Sequence, residues 1–169
     1  ARIGREDEKI QQVDSKDMLE SLYDLMSPPS TFTLDLSGDF PSFETARVPF
    51  QVVFRNLINN AIKHHDKVDG KVTITVTQEE QSYIFTVHDD GPGIAVQYHE
   101  KIFALFQTLK PRDEVEGSGM GLAIIKRMVS HIGGDIRVES AEGAGACFIV
   151  IWPIQVLSHT VDDQAQGTF

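Results

Sequence analysis

The sequence predicts an α+β domain in which helices pack on a largely antiparallel sheet. Three observations predict it. Apolar residues recur at helical spacing in three separate stretches, around 15–26, 49–64 and 122–132. Two pairs of alternating apolar segments flank short polar turns, within 72–87 and 135–152, as antiparallel hairpins do. Strand and helix segments follow one another irregularly, without the regular βαβ succession of a parallel sheet.

Taken in order, Ala1 to Gln12 is charged, has little to bury, and reads as the end of a helix or a linker. Met18, Leu19, Leu22, Leu25 and Met26 form the first helical stripe, with Asp14 or Ser15 as its cap and Pro28-Pro29 as its stop. Phe32, Leu34 and Leu36 alternate with polar residues and predict a strand, and Gly38 to Phe43 reads as a loop. The second helix begins near Pro49 and carries Phe50, Val53, Phe54, Leu57, Ile58, Ala61 and Ile62 on one stripe. A polar segment from His65 to Gly70 ends it. Strands over 72–76 and 83–87 make the first hairpin, and the second of them runs into Asp89-Asp90-Gly91-Pro92-Gly93. A short helix is expected over Val96 to Phe106. A charged loop, Thr108 to Glu116, leads to Gly117-Ser118-Gly119-Met120-Gly121 and a third helix with Leu122, Ile125, Met128, Val129 and Ile132. Gly133-Gly134 has the composition of a helix C-cap. A final hairpin spans Asp135 to Trp152, and the polar segment 158–169 reads as a disordered tail.

The chain has 169 residues and is 41% hydrophobic, enough for one globular domain with a real core. No apolar run is long enough to cross a bilayer. Cys147 is the single cysteine and cannot form an internal disulfide; it reads as a buried strand residue of an intracellular protein. The formal net charge of −10 repels nucleic acid, and it would repel a nucleoside triphosphate as well. A triphosphate site here must therefore be built locally, from a metal ion, backbone amides, helix N-termini and a few bases.

Three constellations have that chemistry. On the second helix Asn56, Asn60, Lys63 and His64 fall on one strip away from the apolar stripe. Asparagine is a poor helix former, yet Asn56, Asn59 and Asn60 stand mid-helix. An amide carbonyl is a hard oxygen ligand suited to Mg²⁺, and a lysine one turn on suits a phosphate; a plain solvated face is the alternative. Asp89 closes a strand, so its carboxylate is held at a fixed place and can accept from an exocyclic amine such as that of adenine, while Gly91 and Gly93 let a flat ring approach the backbone. By itself Asp-Gly-Pro-Gly is only a turn. Gly117, Gly119 and Gly121 before a helix offer free amides and the positive end of a helix dipole, or else a hinge. No Gly-Lys-Ser/Thr follows, so this is not a Walker loop. Lys110 and Arg112 supply mobile positive charge or are solvated loop charges.

In this order the motifs are specific. Asn56-Leu57-Ile58-Asn59-Asn60-Ala61-Ile62-Lys63-His64 resembles the N box of the sensor histidine kinase ATP-binding domain. Asp89-Asp90-Gly91-Pro92-Gly93-Ile94 resembles its G1 box, Ile102-Phe103-Ala104-Leu105-Phe106 its F box, and Gly117-Ser118-Gly119-Met120-Gly121-Leu122-Ala123-Ile124 its G2 box. Gly143 to Pro153 resembles the closing hairpin. The resemblance covers about residues 13–153.

What it implies is a Bergerat-type two-layer sandwich: a mixed, mostly antiparallel sheet of about five strands with three main helices on one face. It implies ATP and Mg²⁺ as ligands, with Asn60 on the metal, Asn56 lining the same site, and Lys63 and His64 on phosphate or ribose. Asp89 would read the adenine amine beside Gly91, Gly93 and Ile94. Gly117, Ser118, Gly119, Met120, Gly121 and Leu122 would hold the triphosphate, with Lys110 and Arg112 in the lid and Phe103 and Phe106 anchoring it. The implied reaction is phosphoryl transfer to a histidine and then to an aspartate of a response regulator, within a homodimer. No contact with nucleic acid or membrane is expected of residues 1–169, and the implied compartment is the cytoplasm. Residues 1–12 would be a remnant of the dimerisation helix or linker and 13–157 the catalytic domain.

Two departures stand out. Asp90 occupies a position where the family often has Asn, adding a negative charge near the base. No histidine precedes His64, so the phosphoacceptor is expected on a helix outside this sequence, and residues 1–169 alone are expected to bind ATP without autophosphorylating. The gyrase, Hsp90 and MutL ATPases share the fold but place a glutamate base where Asn56 stands, and an amide cannot take a proton from water. A nucleotide-binding regulatory pseudoenzyme and a serine kinase of the anti-sigma-factor type are the other readings.

Overall fold

The computed structural model describes residues 9–104, 120–140 and 143–156, with the backbone alone at Met120. Helix α1 (Ser15–Leu25) starts where expected: the Asp14 carboxylate accepts from the Asp17 N–H at 3.2 Å. Strand β2 (Phe32–Gly38) follows. The reading of 10–12 as part of a helix end or linker, and of 38 and 42–43 as part of a loop, needs correction. Ile10–Asp14 is a strand, β1, paired antiparallel with β3 (Ser42–Ala46), Val13 opposite Phe43. Ser15 fastens this two-stranded sheet to α1, donating from its hydroxyl to the Pro41 carbonyl at 2.6 Å.

Helix α2 (Arg47–Lys63) begins two residues before Pro49. The proline is tolerated because N–H groups of the first turn have no intrahelical acceptor. The apolar stripe of α2 is buried apart from Ile62, which is half-buried, and it meets an aromatic cluster. Phe50 packs on Phe54, Phe85 and Trp152 with ring centroids 4.5, 5.7 and 5.1 Å away. Each such fully buried ring contributes roughly 1.5–3 kcal/mol of transfer free energy.

The first predicted hairpin is β4 (Gly70–Glu79) and β5 (Ser82–Asp89); the last is β6 (Asp135–Ser140) and β7 (Ala146–Pro153). They join β2 in a five-stranded sheet of order β2-β4-β5-β7-β6. Only β2 and β4 run parallel, joined by a crossover that contains α2; the other three pairings are antiparallel. This is the mixed, mostly antiparallel sheet expected. Alternate residues Val72, Ile74, Val76, Phe85, Val87, Ile136, Phe148, Val150 and Trp152 are buried against α1, α2 and α3 (Met120–His131), which form the second layer. Cys147 differs from expectation. It lies on β7 in the alternation that faces away from the helices, and it is half-buried.

Two further elements refine the sequence reading. Where the structure describes it, over 96–104, the short helix expected over Val96 to Phe106 is instead two 3₁₀ turns, Val96–Tyr98 and Lys101–Phe103, separated by His99 and Glu100. Helix α3 ends in the predicted glycine cap: Gly133 has φ +97°, its N–H donates to Ser130 and that of Gly134 to Val129.

Candidate functional site

The C-terminal half of α2 carries the predicted polar strip. Asn56 is half-buried, and its amide nitrogen donates back to the Val52 carbonyl at 2.6 Å. That bond fixes which end of the amide is acceptor, and the carbonyl oxygen faces the start of α3. A Cβ on Gly121 would stand 3.4 Å from Asn56 Oδ1. The N box and the described end of the G2 segment are therefore neighbours. Asn60, one turn on, is also half-buried, while Lys63 and His64 are exposed at the helix end. The His64 N–H donates to the Asn60 carbonyl at 3.0 Å and caps the helix.

Asp89 ends β5, where two neighbouring backbones hold its carboxylate. Oδ1 accepts from the Gly91 N–H at 2.9 Å and from the Ala146 N–H at 3.3 Å. The first bond makes the tight turn that Gly91 needs, and a Cβ on Gly91 would lie 2.9 Å from the same oxygen. The second comes from 57 residues away, at the start of β7. Gly93 has φ +76°, a conformation suited to glycine.

The turn between β6 and β7 grips this loop from one side. Ser140 accepts from the Ile94 N–H and donates to the Gly145 carbonyl, both at 2.7 Å. The Gly143 N–H donates to Pro92 at 2.6 Å. His99 approaches the Ile94 carbonyl at 2.9 Å. The half-buried side chains of Ile94 and Leu122 pack against the core.

From the other side the loop is held by His65, which the sequence reading passed over as part of a polar segment. Its side chain is 1% exposed, and Nε2 lies 2.7 Å from Asp90 Oδ1. The same carboxylate oxygen accepts from the Lys71 N–H at 3.0 Å. That backbone bond above all, with a smaller contribution from His65, holds the Asp90 carboxyl below its ordinary value of 3.8 against the opposing effect of burial. Asp90, expected to add a negative charge near the base, has its carboxylate engaged by His65 and Lys71.

Phe103, read as a lid anchor, packs on the sheet and on α3, and the lid itself lies outside the described residues. The Phe103 ring meets Phe148 edge-on at 6.2 Å, and Lys126 of α3 sits over it at 4.6 Å from the centroid. Phe106, Lys110, Arg112, Gly117, Ser118, Gly119 and the side chain of Met120 lie outside the described residues.

The residues present suit a nucleotide with a divalent cation. Among the described residues no group of three or more His, Cys, Asp or Glu could hold a metal. A cation here would thus take most of its ligands from phosphate and water, with the Asn60 carbonyl as a hard protein ligand. Another concavity, lined by Glu79, Glu80, Gln81, Ser82, Ile84 and Ile151, lies at the opposite end of β5. Its two glutamates make it unsuited to a triphosphate.

Residues 45–156 match the family described as histidine kinase-, DNA gyrase B-, and HSP90-like ATPase. The chain belongs to this family. Its fold is that of the GHKL superfamily, the Bergerat fold. As a GHKL domain it is 39% identical over 117 residues to the phytochrome-like protein Cph1 of Synechocystis, covering 69% of the chain and 16% of that protein. It is 36% identical over 112 residues to the aerobic respiration control sensor protein ArcB of Escherichia coli, covering 64% of the chain and 14% of that protein. The chain thus spans about one seventh of the length of these curated relatives. Among solved structures, the catalytic domain of histidine kinase ThkA superposes with a TM-score of 0.74 at 26% identity, over 87% of this chain and 97% of that one. The mycobacterial sensor histidine kinase MprB gives 0.74 at 22% identity, over 88% and 100%, a likeness of fold.

Proposed function

We propose that this GHKL domain binds ATP with Mg²⁺ and delivers the γ-phosphoryl group to a histidine on a separate dimerisation helix, as the catalytic part of a two-component sensor kinase. The observation that carries the proposal is the clamped carboxylate of Asp89. Oδ1 is occupied by two backbone N–H groups, and Oδ2 accepts from the exocyclic amine of adenine beside Gly91. Asn60 supplies an amide oxygen to the cation. Lys63 and His64 lie one turn further along the same helix, where phosphate would be neutralised. Mg²⁺, when bound, neutralises charge developing on the phosphoryl oxygens.

Asn56 separates this reading from that of an ATPase. Its amide nitrogen is spent on Val52 and its amide oxygen is too weakly basic to take a proton from water, so the side chain at that position is no general base. The phosphoryl group is preserved for transfer, first to the histidine and then to an aspartate of a response regulator. The full-length protein is proposed to be a homodimer whose kinase domain works in the cytoplasm.

The test is calorimetric titration with a non-hydrolysable ATP analogue and Mg²⁺, on the wild type, Asn60→Ala and Asp89→Asn. Binding by the wild type, weakened about tenfold or more by each substitution, supports the assignment. A folded wild type that binds no nucleotide overturns it.

A further inference from the structure

We infer that His65 is a positioning residue, which through Asp90 locks the end of α2 to the turn at Asp89–Gly93 and so sets the spacing between the phosphate end and the base end of the site. The inference rests on the nucleotide reading above and adds a residue outside the motifs quoted above.

The imidazole is held on every side by groups that define its orientation. Nδ1 accepts from the Lys67 N–H at 3.0 Å. A nitrogen that accepts carries no proton, so in the neutral ring the proton is on Nε2, which donates to Asp90 Oδ1 at 2.7 Å. The Phe32 ring stands edge-on at 5.3 Å. Gly70 leaves room for the imidazole: a Cβ there would come within 2.8 Å of Nε2. A Cβ on Gly91 would lie 3.5 Å from His65 Cδ2, so the ring also backs the turn that carries Gly91.

The placement gives the pair its consequence. His65 follows Lys63 and His64 directly, and Asp90 follows Asp89 directly. A bond between His65 and Asp90 therefore fixes the residues proposed to meet phosphate relative to the one proposed to meet the base. The tie reaches the sheet through Lys71 of β4, whose N–H shares the Asp90 oxygen. Without it, each half remains anchored to its own element, α2 to the core and Asp89 to the Ala146 N–H. What changes is their registration. A ligand that spans both halves should suffer, and a ligand that touches only one should not. Loss of fold would weaken both.

The experiment measures the affinity of Mg²⁺ with a non-hydrolysable ATP analogue by calorimetry, and of adenosine by NMR titration. The variants are His65→Ala, His65→Gln, Asp90→Ala and Asp90→Asn. Glutamine places a donor near Nε2, and asparagine at 90 keeps the acceptor. His65→Ala and Asp90→Ala should each weaken the ATP analogue about tenfold, as expected for loss of a charge-assisted hydrogen bond. Adenosine should change less than about twofold, and the double alanine variant should be no worse than either single one. His65→Gln and Asp90→Asn should recover most of the loss. The inference is overturned if His65→Ala binds the ATP analogue like the wild type, if both ligands weaken equally, or if the two alanine effects add. If His65→Ala does not fold, the Gln and Asn variants and the Asp90→Ala ratio of the two ligands decide alone. A folded wild type that binds neither ligand removes the nucleotide reading and this inference together, whereas binding that depends on Asp89 but not on His65 removes only the inference.

Discussion

The Cα of Gly145 is pressed against the backbone of Asp89: a Cβ built on it would stand 2.1 Å from the Asp89 carbonyl oxygen. Gly145 also has φ +77°, which L side chains rarely adopt. Gly145→Ala should destabilise the domain by roughly 1–3 kcal/mol, from backbone strain and forced separation of the two loops. It should also weaken nucleotide binding, because the Ala146 N–H that holds the Asp89 carboxylate is the next residue. Urea unfolding and calorimetry on one preparation check both. Gly143→Ala is the contrast: its φ is +79° but no atom lies within 4 Å of its Cβ position. It should lose stability with less effect on affinity.

A second expectation concerns the buried bond from Trp152 Nε1 to Thr45 Oγ1, 2.7 Å long and spanning 107 positions of sequence. Thr45→Val keeps the shape and removes the acceptor, leaving the indole N–H buried without a partner. The cost should be about 1–3 kcal/mol in urea unfolding, with an unchanged m-value. Nucleotide affinity measured well below the transition should stay at the wild-type value.

Asp90 sets an expectation for acid. Its folded pKa lies below the ordinary 3.8, chiefly through the Lys71 N–H. A depressed carboxylate stabilises the fold above its unfolded pKa, and that contribution is lost as pH falls through the folded value. The stability difference between wild type and Asp90→Asn should therefore be constant near neutrality and shrink below about pH 4. Chemical unfolding of both proteins across this window measures it.

Cys147 should react slowly. Burial above all, then the charges of Glu139 and Asp89, push its thiol above the ordinary value, so little thiolate is present at neutral pH. Iodoacetamide should modify it more slowly than free glutathione at pH 7, with the rate climbing as pH is raised. Alkylation at the glutathione rate would contradict this.

The three helices and the two hairpins were legible because their apolar periods are long and unbroken, from the α2 stripe to the alternation of Val72, Ile74 and Val76. The pair β1–β3 was not. Each strand has five residues, and β1 buries only Val13, so it shows no alternation. Its hydrogen bonds come from a partner about thirty positions away, which no local pattern announces. The 3₁₀ turns were read as one helix because apolar spacing does not distinguish i+3 from i+4 bonding over three residues. In the site, Asn56, Asn60 and Asp89 could be named from residue type and order. His65 could not, since its role depends on Asp90 and on the gap left by Gly70, and both contacts exist only once β4 lies beside α2.

The strand order also bears on how the domain is made. β7 is the last strand among the described residues, yet it lies inside the sheet, between β5 and β6. It contributes both the Ala146 N–H to Asp89 and Trp152 to the aromatic core. On the ribosome, the N box and the Asp89 turn emerge long before the strand that completes them. A nascent chain halted ahead of Ala146 would expose the edge of β5 and leave the proposed nucleotide site unfinished. Ligand binding cannot then assist early stages of synthesis; it can only stabilise a chain that has already closed its sheet.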